Sequence, residues 1–370
     1  MTEETVLVAG GGIAGLAMAR ALRRHELPVE VAERGDAGRT GGLAINLPGN
    51  AVTAFAALGL GDGLAKLGRP TRRREYRSAA GKVLFAVDED EFWGARARPR
   101  CVRRSDLLAL LADGLDAPVR QPLAVSAVDG LDVTFDGGER QAYGFVVGAD
   151  GVRSAVRAAM FGATTVRASV LSAASWRFMA PNPGVDCWTV WSGAGGAFLL
   201  IPVDDTEVYG YASATRGGPV DPDPSWLHTT FGGYPEPVRA VLDSVAKNPE
   251  SLFHSPIEEI RLPGWSSGRR VLIGDAAHAT APVWAQGAAL AAEDALVLAA
   301  LLAEGDWDTV GARYEQRRRE RVAHVQAATD RFSRAAGLPI WLRDRLLPLI
   351  GPRTYRETYG VLRVVGSEGG

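Results

Sequence analysis

The sequence predicts an α/β fold assembled from discontinuous pieces, with an inserted antiparallel β-sheet and C-terminal helices. Three observations carry this reading. An apolar strand, Thr5-Val6-Leu7-Val8-Ala9, runs into a glycine-rich turn and then a helical stretch from Ile13 to Arg24. From about residue 164 to 261 that alternation gives way to β-rich segments in quick succession, and from Arg269 strand-then-helix order returns. A leucine- and arginine-rich segment, 339–370, closes the chain as a further helix.

The bulk properties narrow the partners. With 370 residues, 46% of them hydrophobic, the chain can bury the cores of two or three domains. Its formal charge of −2 is spread without basic blocks, so no nucleic-acid partner is expected. The most apolar long stretch, 288–303, contains Glu293 and Asp294 and is too short for a membrane span. The acidic start, Met1-Thr2-Glu3-Glu4, does not look like a secretory leader, which points to a cytoplasmic protein. Cys101 and Cys187 lie far apart and the five histidines do not cluster, so no metal site is expected. The remaining expectation is a small-molecule ligand and a monomer or homodimer.

The opening unit reads as a Rossmann-like βαβ. In Gly10-x-Gly12-x-Ala14-Gly15 the glycines let the backbone turn sharply and approach a pyrophosphate, while the helix start offers free N–H groups. The next strand, 29–32, ends at Glu33 and Arg34. Glu33 stands eighteen residues past Gly15, where a ribose hydroxyl needs an acceptor. A helix is expected over 50–67, then a hairpin within 71–97 that pairs 74–78 with 83–87. A second helix, capped by Ser105-Asp106, carries Leu107, Leu108, Leu110, Leu111 and Leu115 on a broad apolar face. Alternating strands turn at Asp129-Gly130 and Asp136-Gly137-Gly138 and end in 143–149. The inserted sheet is expected over 171–180, 187–192, 197–203 and 208–214, and a long charged helix over 311–336.

Two further motifs sharpen this. Val146-Val147-Gly148-Ala149-Asp150-Gly151-Val152-Arg153-Ser154-Ala155-Val156-Arg157 is one. Val271-Leu272-Ile273-Gly274-Asp275-Ala276-Ala277-His278 is the other, followed by Pro282, Gln286-Gly287 and the helix 288–302. With the N-terminal fingerprint they resemble the FAD-dependent aromatic hydroxylases, single-component class A flavoprotein monooxygenases of the para-hydroxybenzoate hydroxylase, salicylate hydroxylase and zeaxanthin epoxidase type. The resemblance extends over about residues 5–335, since Val102-Arg103-Arg104-Ser105-Asp106-Leu107 and Tyr314-Glu315-Gln316-Arg317-Arg318 also look like that family. It implies an FAD-binding domain made of 1–70, 98–163 and 262–338. A substrate domain would take 71–97 and 164–261, and a helical tail 339–370.

The resemblance also implies roles. FAD would be tightly bound, NADPH or NADH would be the electron donor, and O2 the co-substrate. Gly10, Gly12, Ala14, Gly15, Glu33 and Arg34 would hold the adenosine half, Val125 would offer main-chain bonds to adenine, and Arg104 would reach the pyrophosphate. Asp150 would serve FAD and the nicotinamide donor; Arg153 and Arg157 would either touch phosphate or be solvated helix charges. Asp275 would face the ribityl chain, and the helix starting at Gln286-Gly287-Ala288 would aim its positive end at the flavin. Ala285 departs from the family, whose pattern has glycine there. Gly42, in Gly41-Gly42-Leu43-Ala44, would let the flavin move, and His278 would be structural.

On the substrate side, Trp176, Phe178, Trp188, Trp191 and Phe198 suggest an apolar, aromatic sheet face. Tyr209, Tyr211 and Ser213 share a strand face by alternation, and Arg177 either pairs with an acidic substrate group or makes a structural ion pair. Arg177, Tyr211 and Pro282 are the catalytic candidates. The implied reaction hydroxylates a hydrophobic aromatic substrate, phenolic or polycyclic, through a flavin C4a-hydroperoxide. Epoxidation or Baeyer–Villiger insertion would use the same machinery. A protein that retains FAD and only sequesters a ligand is the reading from another class.

Overall fold

The computed structural model describes residues 4–35, 43–162, 166–215 and 218–364. Val6–Ala9 has every side chain buried, as an apolar run without alternation should in a sheet covered on both faces. It pairs in parallel with Val29–Ala32 on one side and Phe145–Gly148 on the other. Arg270–Leu272 joins beyond Phe145–Gly148, and Val119–Arg120 beyond Val29–Ala32, both parallel; Ser266–Ser267 adds an antiparallel edge, making six strands. The first helix, Ile13–Arg24, packs on this layer beside the almost wholly buried Gly287–Ala303. Glycine also lets the first helix sit close on its own strand and turn: a Cβ at Gly15 would fall 1.7 Å from the carbonyl oxygen of Gly10.

The second large sheet has seven strands, in the order Phe253–Pro256, Ala174–Pro181, Glu207–Ala214, Gly196–Pro202, Trp188–Ser192, Arg73–Ser78, Val83–Asp88. It is antiparallel except at one seam, where Trp188–Ser192 runs parallel to Arg73–Ser78. The inserted sheet expected from the sequence therefore incorporates the earlier hairpin, and it is mixed. Hairpin and insert leave the nucleotide-side layer at separate points in the chain, so their relative direction is set by tertiary placement that no local pattern encodes.

Alternation divides this sheet into two faces. Trp176, Phe178, Trp191, Phe198, Val208 and Ala212 pack against the helices Ser225–Phe231 and Glu236–Val245. Trp188, Ile201, Val203 and Tyr209 face the other way, onto Cys101 and the partly buried Leu43 and Ala44. The expectation of one apolar, aromatic face carrying all five aromatics is corrected accordingly. Four of them form the outer core, and Trp188 alone of the five lies on the inner face.

Other boundaries also shift. The helix expected over 50–67 is two, Gly49–Ala57 and Gly61–Ala65, interrupted around Gly59. The helix expected to be capped by Ser105-Asp106 starts two residues earlier, as Arg104–Ala112, with Arg103 at the cap position and no side-chain cap. The long charged helix begins at Trp307, and a terminal helix, Ile340–Gly360, buries Tyr355 and Tyr359 despite the prolines at 348 and 352.

A buried ionic network ties these helices to the sheet edge. Asp294 Oδ2 accepts from the Gly274 amide (2.9 Å) and lies 2.8 Å from His278 Nε2, while Oδ1 accepts from Arg318 Nε (2.8 Å). Arg318 Nη1 and Arg321 Nε both donate to Glu293 Oε2, at 2.9 and 2.5 Å. Asn50 Nδ2 donates to Glu293 Oε1 (3.1 Å) and to Gln286 Oε1 (2.9 Å), and Gln286 Nε2 returns a bond to Asn50 Oδ1 (3.1 Å).

Burial alone would push the Asp294 carboxyl up, but His278 and Arg318 outweigh it and hold it well below the usual carboxylate range. A depressed folded-state pKa contributes stability that is present above the unfolded value, about pH 4, and lost as pH falls below it. Asp294→Asn is expected to destabilise the fold by about 3 kcal/mol at neutral pH, because it leaves Arg318 short of a buried partner. The variant's denaturant midpoint should also fall less steeply than the wild type's below about pH 4. An unchanged midpoint at neutral pH contradicts this account.

Candidate functional site

The glycine turn leaves the helix N-terminus open. Nothing lies within 4 Å of where a Cβ on Gly12 would sit, and Gly12 gives the helix Ile13–Arg24 no side-chain cap, so a ligand can approach the backbone there. Ala14 stands at the same entry, its methyl close against Gly274. Glu33 reaches back across the turn, accepting from the amides of Gly11 (2.5 Å) and Gly35 (2.7 Å), and Arg34 beside it is exposed. The amide of Leu123 donates to the Glu33 carbonyl (2.7 Å), which brings the half-buried Val125, at the start of Val125–Asp129, to the same end of the sheet.

Asp150 ends the strand Phe145–Gly148 two residues on. Its Oδ2 accepts from the amides of Ala155 (2.7 Å) and Val156 (3.3 Å), whereas Oδ1 is buried without a partner. Burial pushes this carboxyl above its ordinary value, against the hydrogen bonds that favour the charged form. A buried acceptor with no donor is a vacancy for a ligand hydroxyl or N–H. Of the two nearby arginines, Arg153 is exposed. Arg157 is buried and donates to the carbonyls of Ala276 (3.0 Å) and Val152 (2.5 Å), which fixes the Asp275 turn from beneath.

Asp275 is reached by solvent yet surrounded by protein, as the floor of a cleft is. That enclosure pushes its carboxyl up, while His278 and Arg104 pull it down. Arg104 opens its helix with its amide bonded to the Leu43 carbonyl (3.1 Å). Its charge is disfavoured first by burial, supported by Asp275 and Glu33, and opposed by Arg177. Arg104, Asp275 and Glu33 thus share one electrostatic environment although they lie far apart in sequence.

Helix Gly287–Ala303 presents its N-terminus above Asp275, with Gly287 exposed and Ala288 buried. Gln286 is buried and its side chain is spent on Asn50 and the Trp284 carbonyl, so any ligand contact from it is through the main chain. Ala285 holds φ +52°, ψ +36°, a left-handed conformation. This explains why glycine suits the position, since a Cβ costs about 1–2 kcal/mol there. Pro282 is exposed at the start of the preceding turn, Pro282–Trp284. Gly42 lies outside the described residues.

The inner face of the seven-stranded sheet closes the cleft. A pocket is lined by Leu43, Ala44, Arg104, Arg177, Tyr209 and Phe253. Arg177 donates from Nη2 to Ser255 Oγ (2.6 Å) and lies over the Phe253 ring; its Nε is buried and unpartnered. Tyr211 sits opposite Arg177 in register, and burial raises its phenol above the ordinary value, with Ser213, Arg177 and Ser175 opposing. Arg177 therefore stands at the Arg104 end of the cleft. Sequence reasoning missed Asn50, whose only signal is a lone amide in the apolar run 49–57. It also missed Arg74, one of three consecutive arginines that reads as a surface charge. Among the described residues no cluster of histidine, cysteine and carboxylates suits a metal ion.

A glycine-turn layer whose helix N-termini look across a cleft at the inner face of a second sheet defines a two-layer nucleotide-binding oxidoreductase. The family model of the FAD binding domain matches residues 3–331, and the chain belongs to that family. It is 31% identical to the 2-heptyl-3-hydroxy-4(1H)-quinolone synthase of Pseudomonas aeruginosa, over 96% of each chain. It is 30% identical to the aurachin C monooxygenase/isomerase of Stigmatella aurantiaca, over 94% of this chain and 95% of that one. The crystal structure of Klebsiella pneumoniae HpxO complexed with FAD and uric acid shares the fold, with a TM-score of 0.83, 24% identity, and coverage of 99% and 97%. The chain is a flavin-dependent enzyme of the monooxygenase type.

Ala285→Gly is expected to raise stability by about 0.5–1 kcal/mol, the left-handed strain removed less the extra unfolded-state entropy of glycine. Equilibrium denaturation of the two holoproteins measures this, and a loss of stability in the variant would show that the turn gains nothing from glycine.

Proposed function

We propose that this enzyme hydroxylates a hydrophobic aromatic ring, consuming one NAD(P)H, one O2 and one proton and releasing the oxidised nicotinamide and water. The carrying observation is the convergence of the open Gly12 turn, the unpartnered Asp150 Oδ1 and the cleft-floor Asp275 on one side, with the apolar inner sheet face opposite. The residues fit FAD: Gly10, Gly12, Ala14, Gly15, Glu33, Arg34 and the Val125 strand would hold its adenosine half. Arg104 would reach its diphosphate, and Asp150, Asp275 and the helix start at Gln286-Gly287-Ala288 its flavin half. Bound FAD supplies the redox chemistry, accepting a hydride from the nicotinamide and passing electrons to O2.

The rest is the work of this chain's side chains. Tyr211, a phenol and so protonated at neutral pH, is a hydrogen-bond donor, and Arg177 opposite it holds an unspent Nε–H. Both would orient an oxygen on the substrate. Pro282, lacking an N–H, would shape the turn between the cofactor and the substrate without competing for their hydrogen bonds. Water exclusion falls to Leu43, Ala44, Tyr209 and the rings behind them. The quinolone made by the Pseudomonas relative favours a fused nitrogen heterocycle as the ring class.

The test is NAD(P)H oxidation by the holoenzyme in the presence of phenols and 4-quinolones, followed by mass analysis. At least one ligand should accelerate oxidation and gain a single oxygen atom. A ligand that perturbs the flavin spectrum tightly, yet never stimulates NAD(P)H consumption, would identify a sequestering protein instead.

A further inference from the structure

A second buried cation lies at the far end of the inner sheet face. Arg74, on Arg73–Ser78, is 1% exposed, and its Nε donates to the fully buried Glu89 (2.7 Å). Glu89 is held in turn by the Tyr355 hydroxyl (2.5 Å), which accepts from Trp93 Nε1 (3.0 Å). The guanidinium stacks 4.4 Å from the Trp188 ring and lies 5.8 Å from that of Tyr359. Everything around it holds it in place, yet its Nη2 is buried with no hydrogen-bond partner. The indole Nε1 of Trp188, the ring stacked on it, is also buried and unpartnered.

Side chains packed against these donors lead to the site already described. Tyr359 donates to the Trp284 carbonyl (2.8 Å), and Trp284 ends the turn that leads into helix Gly287–Ala303. Trp188 packs in the same cluster as Tyr209, which lines the pocket beside Arg177. Arg177 is electrostatically joined to Arg104, and Arg104 to Asp275 and Glu33, so that end of the cavity lies beside the cofactor residues. Arg74 lies on the opposite side of the sheet's middle, in strand order two strands beyond Gly196–Pro202.

We propose that Arg74 Nη2 and Trp188 Nε1 form the acceptor-binding end of the substrate cavity. The substrate would then carry, remote from the carbon that reacts, a ring carbonyl, phenolate or carboxylate oxygen. This rests on the monooxygenase reading and deepens it. Two donors fixed on one stacked pair, one of them cationic, select an oxygen bearing negative charge. Desolvation is already complete, so a ligand lacking that oxygen leaves both donors orphaned, which makes the discrimination steep. Glu89 and Tyr355 are positioning residues: they fix Arg74 and are not placed to touch the ligand.

The experiment compares 4-quinolone with quinoline, which lacks the ring oxygen, by flavin-absorbance titration of the holoenzyme. Wild type should bind 4-quinolone about ten- to a hundredfold more tightly, the factor expected for a hydrogen bond to a charged donor. Trp188→Phe, which removes the indole N–H together with part of the ring stacked on Arg74, should shrink that ratio. The double variant Arg74→Gln/Glu89→Gln, which keeps the buried pair neutral and of similar size, should bring it close to one while FAD content and thermal midpoint stay near wild type. A wild type that does not separate the two ligands, or variants that keep the separation, would overturn the assignment. Loss of FAD from the variants would do so too, by showing that the donors serve the cofactor. Absence of NAD(P)H stimulation with the ligand preference intact would instead count against the monooxygenase reading and leave this site standing.

Discussion

The carboxylate of Asp294 is the constraint on which the site depends. A helix as apolar as Gly287–Ala303 could pack on the sheet through alanine and leucine alone, and replacing a buried ion pair by apolar side chains is often neutral or stabilising. What apolar packing cannot do is bind the Gly274 amide. That residue sits at φ +57°, immediately before Asp275, and its N–H points into the interior. One oxygen of Asp294 holds this amide and His278, the other holds Arg318, so the Asp275 turn, the site helix and the long helix Trp307–Ala336 share one position. Arg157 braces the same turn through the Ala276 carbonyl. The network is better understood as fixing geometry than as adding net stability.

The division of the seven-stranded sheet into two faces follows from a similar economy. On the outer face the insert builds its own core with two helices and keeps most of its large aromatics there. The inner face is left with residues whose polar atoms stay within reach of the cleft: Tyr209, Tyr211, Arg177, Tyr76, Trp188 and Arg74. Tyrosine, tryptophan and arginine each join a large apolar or planar body to a hydrogen-bonding tip, which suits a surface that must exclude water and still orient a ligand.

The nucleotide-binding layer was legible because its signals are local. Glycine spacing, an unbroken apolar strand and an acid at the next strand's end each operate within a few residues. The conformation at Ala285 left a trace only as a departure from a family pattern, since no intrinsic preference of alanine favours the left-handed region. Aromatic alternation located strands correctly but could not say which face meets the cleft; the helices Ser225–Phe231 and Glu236–Val245 decide that, from well downstream. The parallel seam between Arg73–Ser78 and Trp188–Ser192, and the Asn50–Gln286 amide pair, join residues more than a hundred positions apart. Arg74 was illegible for another reason: within Arg72-Arg73-Arg74, charge alone does not distinguish a solvated side chain from one sealed under three aromatic rings.

The placement of unsatisfied polar atoms completes the argument. Arg23 Nε and Tyr314 Oη aside, the side-chain atoms buried without partners among the described residues are Asn46 Oδ1, Asp150 Oδ1, Arg177 Nε, Trp188 Nε1, Arg74 Nη2, Thr280 Oγ1 and Trp284 Nε1. All come from elements bordering the seam between the layers: the strand Ala44–Leu47, the end of Phe145–Gly148, the inner sheet face, and the segment leading into helix Gly287–Ala303. Each such atom costs about 1–3 kcal/mol in a protein with no ligand. Their character also differs along the seam. Asp150 and Asn46 leave acceptors unfilled, whereas Arg177, Trp188 and Arg74 on the inner sheet face, and Trp284 before the site helix, leave N–H donors. A molecule that satisfied the whole seam would therefore give protons where it meets the nucleotide-binding strands and accept them where it meets Trp188 and Arg74. Hydroxyl-rich ribityl and ribose chains would fill the first requirement and an electron-rich ring oxygen the second, so the proposed cofactor and substrate would bring opposite hydrogen-bonding polarity to one interior.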